Sequence, residues 1–136
     1  MLIKDNPAEF SSYLEDTSNL KGNAETLYIP DSQKELPEIL ASCRQKNIPI
    51  TCCGGRTGTT GGCVPFGGAV VSFERLNRII NIDRDRKFAT LEAGVPLQDL
   101  ETALNKQGLS FPAQPTESLA FVGAAASTGA SGLKGF

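Results

Sequence analysis

Residues 48–62 read IPITCCGGRTGTTGG, a short apolar run from Ile48 to Cys52 that leads into Gly54-Gly55-Arg56-Thr57-Gly58-Thr59-Thr60-Gly61-Gly62. The run predicts a buried strand. Successive glycines permit positive φ and let neighbouring N–H groups converge on one point, a nest that suits an anion such as pyrophosphate. Thr57, Thr59 and Thr60 add hydroxyl donors of matching reach. The competing reading of any Gly-rich stretch is a flexible surface loop. Against it stand the preceding strand and the lack of charge, Arg56 being the only charged residue from Thr51 to Ser72. A second stretch shares this character: four of the 14 glycines fall between Gly123 and Gly135, and Glu117 is the only charge from Ser110 to Leu133. Low charge with Gly, Ser and Thr predicts two buried, functional loops rather than solvated linkers.

Working outward, a short helix is expected around Ala8 to Leu14 and a strand over Leu27 to Ile29, closed by Pro30. Ser32-Gln33-Lys34-Glu35 has capping-box spacing, and Leu36, Ile39, Leu40 and Cys43 fall on one stripe of the helix that follows. With the strand Ile48 to Cys52 this makes a βαβ unit. Ala69 to Phe73 reads as a buried strand, and Arg78–Ile82 and Phe88–Glu92 flank Asp83-Arg84-Asp85-Arg86 as an antiparallel hairpin. Val95-Pro96 opens a second helix with Leu97, Leu100, Ala103 and Leu104 on one face. Gly108 ends it as a left-handed cap, and a further short strand is expected over Leu109 to Phe111. The order predicts an α+β unit without repeats or internal linkers.

Composition narrows the chemistry. The chain has 136 residues, 13 Lys+Arg against 15 Asp+Glu, and a formal net charge of −2. No basic field exists to hold a nucleic-acid backbone. With no His, His-based triads, His-ligated zinc and a histidyl cofactor bond are excluded within this chain. Cys43, Cys52, Cys53 and Cys63 have poor spacing for a metal or a disulfide framework, so reduced, packed thiols and no metal are expected. No apolar run reaches the roughly 18 residues that span a bilayer, and a cytoplasmic protein is expected. The glycine loop lacks the Gly-Lys-Ser/Thr of a P-loop. Its glycines at 55, 58 and 61 run into Cys63-Val64-Pro65 instead of opening a helix as a Rossmann fingerprint does.

GGRTGTTGG, followed by VPFGGAVVSFERLNRIINID, ATLEAGV and FPAQPTESLAFVGAAASTGASGLKGF, resembles the FAD-binding domain of the vanillyl-alcohol oxidase and p-cresol methylhydroxylase type (PCMH-type), nearest the glycolate-oxidase-subunit and D-lactate-dehydrogenase branch. The four ordered blocks cover nearly everything from Leu27 to Phe136. The resemblance implies a flavin-dependent oxidoreductase acting on a small 2-hydroxy acid, with FAD lying between two α+β subdomains. It places Gly55, Arg56, Thr57, Gly58, Thr59, Thr60, Gly61 and Gly62 around the FAD pyrophosphate. Pro115, Thr116, Glu117 and Ser118, with Gly123, Ala124 and Ser127, would line the other side of the dinucleotide. Leu76–Ile79 and Glu92–Val95 match positions that read as structural. Where relatives usually carry Gly, this chain has Arg56, which either sets a cation beside the phosphates or points to solvent. Their usual Gly-Gly-Asn and Asn-Ala-Gly are replaced by Gly123-Ala124-Ala125 and Gly129-Ala130-Ser131. Without His the FAD is expected to be noncovalent.

By this resemblance the chain is a truncated PCMH-type domain. Residues of about 1–53 form a first βαβ subdomain, 54–68 the pyrophosphate loop, and 69–136 the start of a second subdomain with a mixed or antiparallel sheet. The substrate domain and the catalytic residues lie outside it. A sheet cut midway exposes strand edges and apolar surface. The isolated chain is therefore expected to form a homo-oligomer, swap segments or pair with its remainder, and to bind FAD weakly or not at all. Two alternatives stay open: a noncatalytic flavin-binding subunit or fragment needing a partner polypeptide, and another enzyme on the same flavin domain, such as an enolpyruvyl-sugar reductase or an alkyl-glycerone-phosphate synthase.

Overall fold

The structure is a computed structural model that describes residues 1–112 and 117–132. The chain divides into two compact units, Met1–Leu76 and Asn77–Phe136.

In the first unit, β1 (Leu2–Lys4), β2 (Thr26–Ile29), β3 (Ile50–Cys53) and β4 (Ala69–Ser72) form one sheet in the order β1-β2-β4-β3. β1 is antiparallel to β2, while β4 lies parallel to both β2 and β3. Every residue of β4 is buried, as a strand with apolar groups on both faces requires, and such strands take central places. Residues 69–72, expected to open the second subdomain, therefore separate β2 from β3 in the first. The helix α1 (Leu36–Gln45) covers one face, where Ile39 and Cys43 pack with Ala69 and Val71. On the other face Leu27, Ile29, Cys53 and Val70 pack with Phe10 and Ala24. Gly68 feeds β4 at φ +77°, and a Cβ there would lie 2.2 Å from the Pro49 carbonyl oxygen, so only glycine fits.

Local details depart from expectation. The helix expected over Ala8–Leu14 is two 3₁₀ turns, Pro7–Glu9 and Ser11–Tyr13. Between them Phe10 leaves helical geometry at φ −138° and is 1% exposed. Burying that ring is worth about 2–3 kcal/mol, more than a short helix gains from its own hydrogen bonds. The capping box slides by a residue: the Lys34 amide donates to Ser32 Oγ (3.3 Å), but the Glu35 carboxylate accepts from the Asp31 amide (2.8 Å). A 3₁₀ turn over Gln33–Glu35 thus precedes α1. Leu40 is 53% exposed, because at 100° per residue it points about 80° away from the mean direction of Ile39 and Cys43. α1 ends in a Schellman pair, Asn47 N–H to the Arg44 carbonyl and Ile48 N–H to that of Cys43 (3.2 and 2.8 Å), with Asn47 at φ +52°.

In the second unit, β5 (Ile79–Asp83) and β6 (Phe88–Leu91) form the expected antiparallel hairpin. A register shift between Ile79 and Asn81 turns Ile79 and Ile82 to the same face, where both pack with Ala89 and Leu91 against Val95, Leu100 and Leu104. The last two residues lie on α2 (Leu97–Asn105), which follows Pro96 and ends before Gly108 at φ +70°. Leu109–Phe111 is not a strand. Leu109 and Phe111 pack into the core, and the Phe111 amide donates to Glu101 Oε2 (3.3 Å) where a ladder bond was expected. Residues Val122–Ser127, expected as loop, form the short helix α3.

Glu92 ties the hairpin to the segment before it. Its carboxylate, 4% exposed, accepts from the Arg78 amide (2.8 Å) and from Arg78 Nε and Nη2 (3.2 and 2.7 Å). These bonds from Arg78 hold the Glu92 carboxyl below the ordinary carboxylate range. A carboxylate depressed in the folded state adds stability above its unfolded value, near 4.5, and loses it as pH falls through the folded value. Glu92→Gln is expected to cost about 1–2 kcal/mol at pH 7 by loss of charge-assisted hydrogen bonds. Urea midpoints from pH 7 down to 3 check this: the gap between parent and variant should close as the pH drops.

Candidate functional site

β3 ends at Cys53 and delivers the chain into the glycine loop from the carboxyl end of a strand in a parallel pair, the usual place for ligand loops in such sheets. Gly58, Thr59, Thr60 and Gly62 are exposed. The loop expected to be buried instead presents its middle to the outside and is held from behind.

What holds it is the segment Tyr13–Leu20. Thr17 Oγ1 donates toward the Thr57 and Gly58 carbonyls at 3.1 and 2.6 Å. Arg56 sits at φ +59°, a left-handed conformation that is costly for a side chain with a Cβ. Its guanidinium lies 4.4 Å from the centroid of the Tyr13 ring, a cation–π contact worth about 0.5–2 kcal/mol. The Tyr13 hydroxyl donates to Glu74 Oε2 at 2.7 Å, and burial together with that carboxylate pushes its pKa up to about 12. Of the two roles weighed for Arg56, pointing to solvent is not what the structure has, since the side chain is seated on the tyrosine. Asp16 accepts from the Ser18 amide (2.9 Å) and hydroxyl, and the Cys63 thiol reaches it at 3.9 Å. Burial opposes ionisation of Asp16, but the Ser18 groups, the Gly61 amide and Cys63 outweigh it and hold the carboxyl low.

The loop amides are unspent. Among the described residues, no backbone N–H of Gly55, Arg56, Thr57, Gly58, Thr59, Thr60 or Gly62 donates to a protein acceptor. Successive free N–H groups beside one cation form an anion receptor that needs no lysine cluster. Burial raises the pKa of Cys53 to about 11 and also raises that of Cys63, which favours the neutral thiols. Cys43 and Cys53 are buried and all four thiols are free. Among the described residues no group of His, Cys, Asp and Glu could hold a metal.

The second set of candidates behaves differently. Pro115 and Thr116 lie outside the described residues. Glu117 Oε1 accepts from the Leu119 amide (3.0 Å), and the Ser118 carbonyl accepts from the Gln98 amide (3.0 Å). Gly123 donates its amide to the Ala93 carbonyl (2.9 Å), and a Cβ there would come 2.6 Å from that of Ala93. The Ala124 carbonyl accepts from the Thr128 amide and hydroxyl (3.0 and 2.9 Å), and Ser127 Oγ donates to the Gly123 carbonyl (2.8 Å). Close packing against Ala93 is thus sufficient reason for glycine at 123. Tyr13, Asp16, Thr17 and Ser18 went unnoticed in the sequence because a polar run such as Glu15–Asn19 reads as an ordinary turn. No spacing signals that it meets a loop some 40 positions later.

An α+β fold with an amide-lined loop at the carboxyl end of a parallel strand is suited to holding a dinucleotide, and comparison with known proteins gives the family. A model of the FAD binding domain family matches residues 24–136, and the chain belongs to that family. It is 36% identical over 115 residues to a D-lactate dehydrogenase of Anaerostipes hadrus, covering 84% of this chain and 24% of that protein. To a D-lactate dehydrogenase of Archaeoglobus fulgidus it is 38% identical over 106 residues, 77% of this chain and 24% of the relative. The glycolate oxidase subunit GlcD of Bacillus subtilis is 29% identical over 121 residues, 88% and 26% of the two chains. The chain therefore spans about a quarter of the length of these relatives. A solved alkyldihydroxyacetonephosphate synthase shares the fold with a TM-score of 0.83 at 21% identity, over 96% of this chain and 29% of that one. The PCMH-type α+β fold implied by the sequence blocks is the fold found.

Gly123→Val checks the packing explanation. Its side chain would meet Ala93 backbone atoms within 3.1 Å, so a loss of about 1–3 kcal/mol is expected in urea unfolding.

Proposed function

We propose that the backbone of Gly55–Gly62 receives the diphosphate of noncovalently bound FAD, and that the protein to which this chain belongs oxidises a small 2-hydroxy acid of the glycolate or D-lactate type. The observation that carries this reading is the set of amides from Gly55 to Thr60, with Gly62, that meet no acceptor among the described residues, in a chain of the FAD binding domain family. FAD, when bound, supplies the acceptor for the hydride removed from the substrate carbon. The chain's own part is to bind and orient: the amides of Gly55, Thr57, Gly58, Thr59, Thr60 and Gly62 and the three threonine hydroxyls face the diphosphate, and Arg56 adds a positive charge held in place by Tyr13. Pro115, Thr116, Glu117, Ser118, Gly123, Ala124 and Ser127 form the second proposed contact set. Their support is the family match that spans them.

The substrate domain and the groups that recognise the carboxylate lie, in this reading, outside residues 1–136. The named activities of the relatives support the hydroxy-acid class. Four free thiols fit a reducing, cytoplasmic setting, and no helix among the described residues is long and apolar enough to cross a membrane. A second reading, a flavin-binding subunit that works only with a partner polypeptide, draws support from the relative named as an oxidase subunit.

The test is expression of the complete reading frame that carries this sequence, followed by a flavin spectrum and a dye-linked screen with glycolate, D-lactate and D-2-hydroxyglutarate. A yellow protein that reduces dye with one of them is expected. Colourless protein that takes up no added FAD would overturn the flavin reading, and FAD binding without turnover would favour the subunit. Residues 1–136 expressed alone are expected to bind FAD weakly or not at all, so a stoichiometric submicromolar complex in a fluorescence titration would refute that expectation.

A further inference from the structure

We infer that Tyr13–Ser18 is a positioning strap for the diphosphate loop, with Thr17 as the residue that sets which way the loop's amides face and Asp16 as its anchor. The inference rests on the flavin reading above and adds residues that precede the family match, which begins at residue 24.

The argument is one of peptide geometry. In a trans peptide the carbonyl and the N–H of the same unit point in opposite directions, and no peptide among the described residues is cis. The Thr57 carbonyl shares its peptide with the Gly58 N–H, and the Gly58 carbonyl with the Thr59 N–H. Thr17 Oγ1 draws both carbonyls toward itself, at 3.1 and 2.6 Å. The Gly58 and Thr59 N–H groups must then face away from the strap, toward the side where the loop is exposed, and neither finds an acceptor there among the described residues. A glycine-rich loop left to itself samples both peptide orientations at little cost. One hydroxyl on a fixed neighbouring segment selects the orientation that offers donors outward.

The strap is itself fixed at three points. Tyr13 packs against the core cluster around Phe10 and Leu27 and bonds Glu74 through its hydroxyl. Its ring carries Arg56, the loop residue with left-handed φ. Asp16 closes a turn on Ser18, and its other oxygen faces the loop, reached by the Cys63 thiol at 3.9 Å and lying 3.4 Å from where a Gly58 Cβ would stand. Bonds from Ser18 and Cys63 hold the strap and keep Asp16 ionised, so its charge is a cost at this place that the loop amides and Arg56 outweigh when a diphosphate binds. Preorganisation of this kind lowers the ordering cost of ligand binding.

Thr17→Val and Thr17→Ser in the complete reading frame test the inference, with Asp16→Asn as a second probe. Two readouts are taken on each: the rate of tryptic cleavage after Arg56 without ligand, which reports how firmly the loop is held, and FAD affinity by fluorescence quenching. Thr17→Val is expected to speed cleavage at least tenfold and to weaken FAD about tenfold, with the parent's urea midpoint retained. Thr17→Ser, which retains the hydroxyl, should restore both to within threefold, and Asp16→Asn should speed cleavage by a smaller factor than Thr17→Val. Cleavage and FAD affinity within twofold of the parent in Thr17→Val would overturn the strap. If the parent itself takes up no FAD, the flavin reading fails instead, and the cleavage rates still decide whether the strap orders the loop. If Thr17→Val fails to fold, Thr17→Ser cleaved as slowly as the parent supports the hydroxyl's role, and Thr17→Ser cleaved tenfold faster overturns it.

Discussion

β4 has no face to give to water. Ala69, Val70, Val71 and Ser72 are all buried, and a strand of that kind is stable only with neighbours on both edges and cover on both faces. The edges come from β2 and β3. One face is covered by α1 and the other by the N-terminal segment carrying Phe10 and Tyr13. That second cover has a consequence for the site: it brings Tyr13, Asp16 and Thr17 against the loop that joins β3 to β4. Core packing and loop conformation are thus one constraint seen from two ends.

The loop's chemistry is that of backbone dipoles rather than side-chain charge. Its one cation, Arg56, is committed to the Tyr13 ring, and its neighbouring carboxylate, Asp16, is committed to Ser18 and Cys63. The free donors are amides, fixed in direction by the peptide plane. In the proposed reading, this is how a chain with a net charge of −2 receives a ligand that is itself an anion.

The second unit shows how a regular pattern hides an irregular solution. Ile79 and Ile82 are three apart and could not share a face of an ideal strand, yet both enter the core because the ladder shifts between Ile79 and Asn81. Gly123, which stood among the candidate contacts, has a packing reason in Ala93 and spends its amide there. Glycine in a sequence says that a Cβ is unwelcome without saying whether a ligand or a neighbouring strand excludes it.

By itself the sequence determined the elements whose cause is local. The strand before the glycine loop, the hairpin around Asp83–Arg86, the α2 stripe and the left-handed Gly108 all follow from period, turn residues and caps acting within a few positions. The glycine loop was legible for the same reason, since five glycines fall within the nine residues from Gly54 to Gly62. Only the tertiary structure decided that residues 69–72 enter between β2 and β3, that Phe10 breaks its helix, that Leu40 faces outward and that Leu109–Phe111 never pairs as a strand. It alone placed Tyr13, Asp16 and Thr17 behind the loop. Each of these turns on contacts between residues far apart in the chain, where burial of a ring or satisfaction of a carbonyl outweighs a local preference of a few tenths of a kcal/mol, and no spacing rule carries that information.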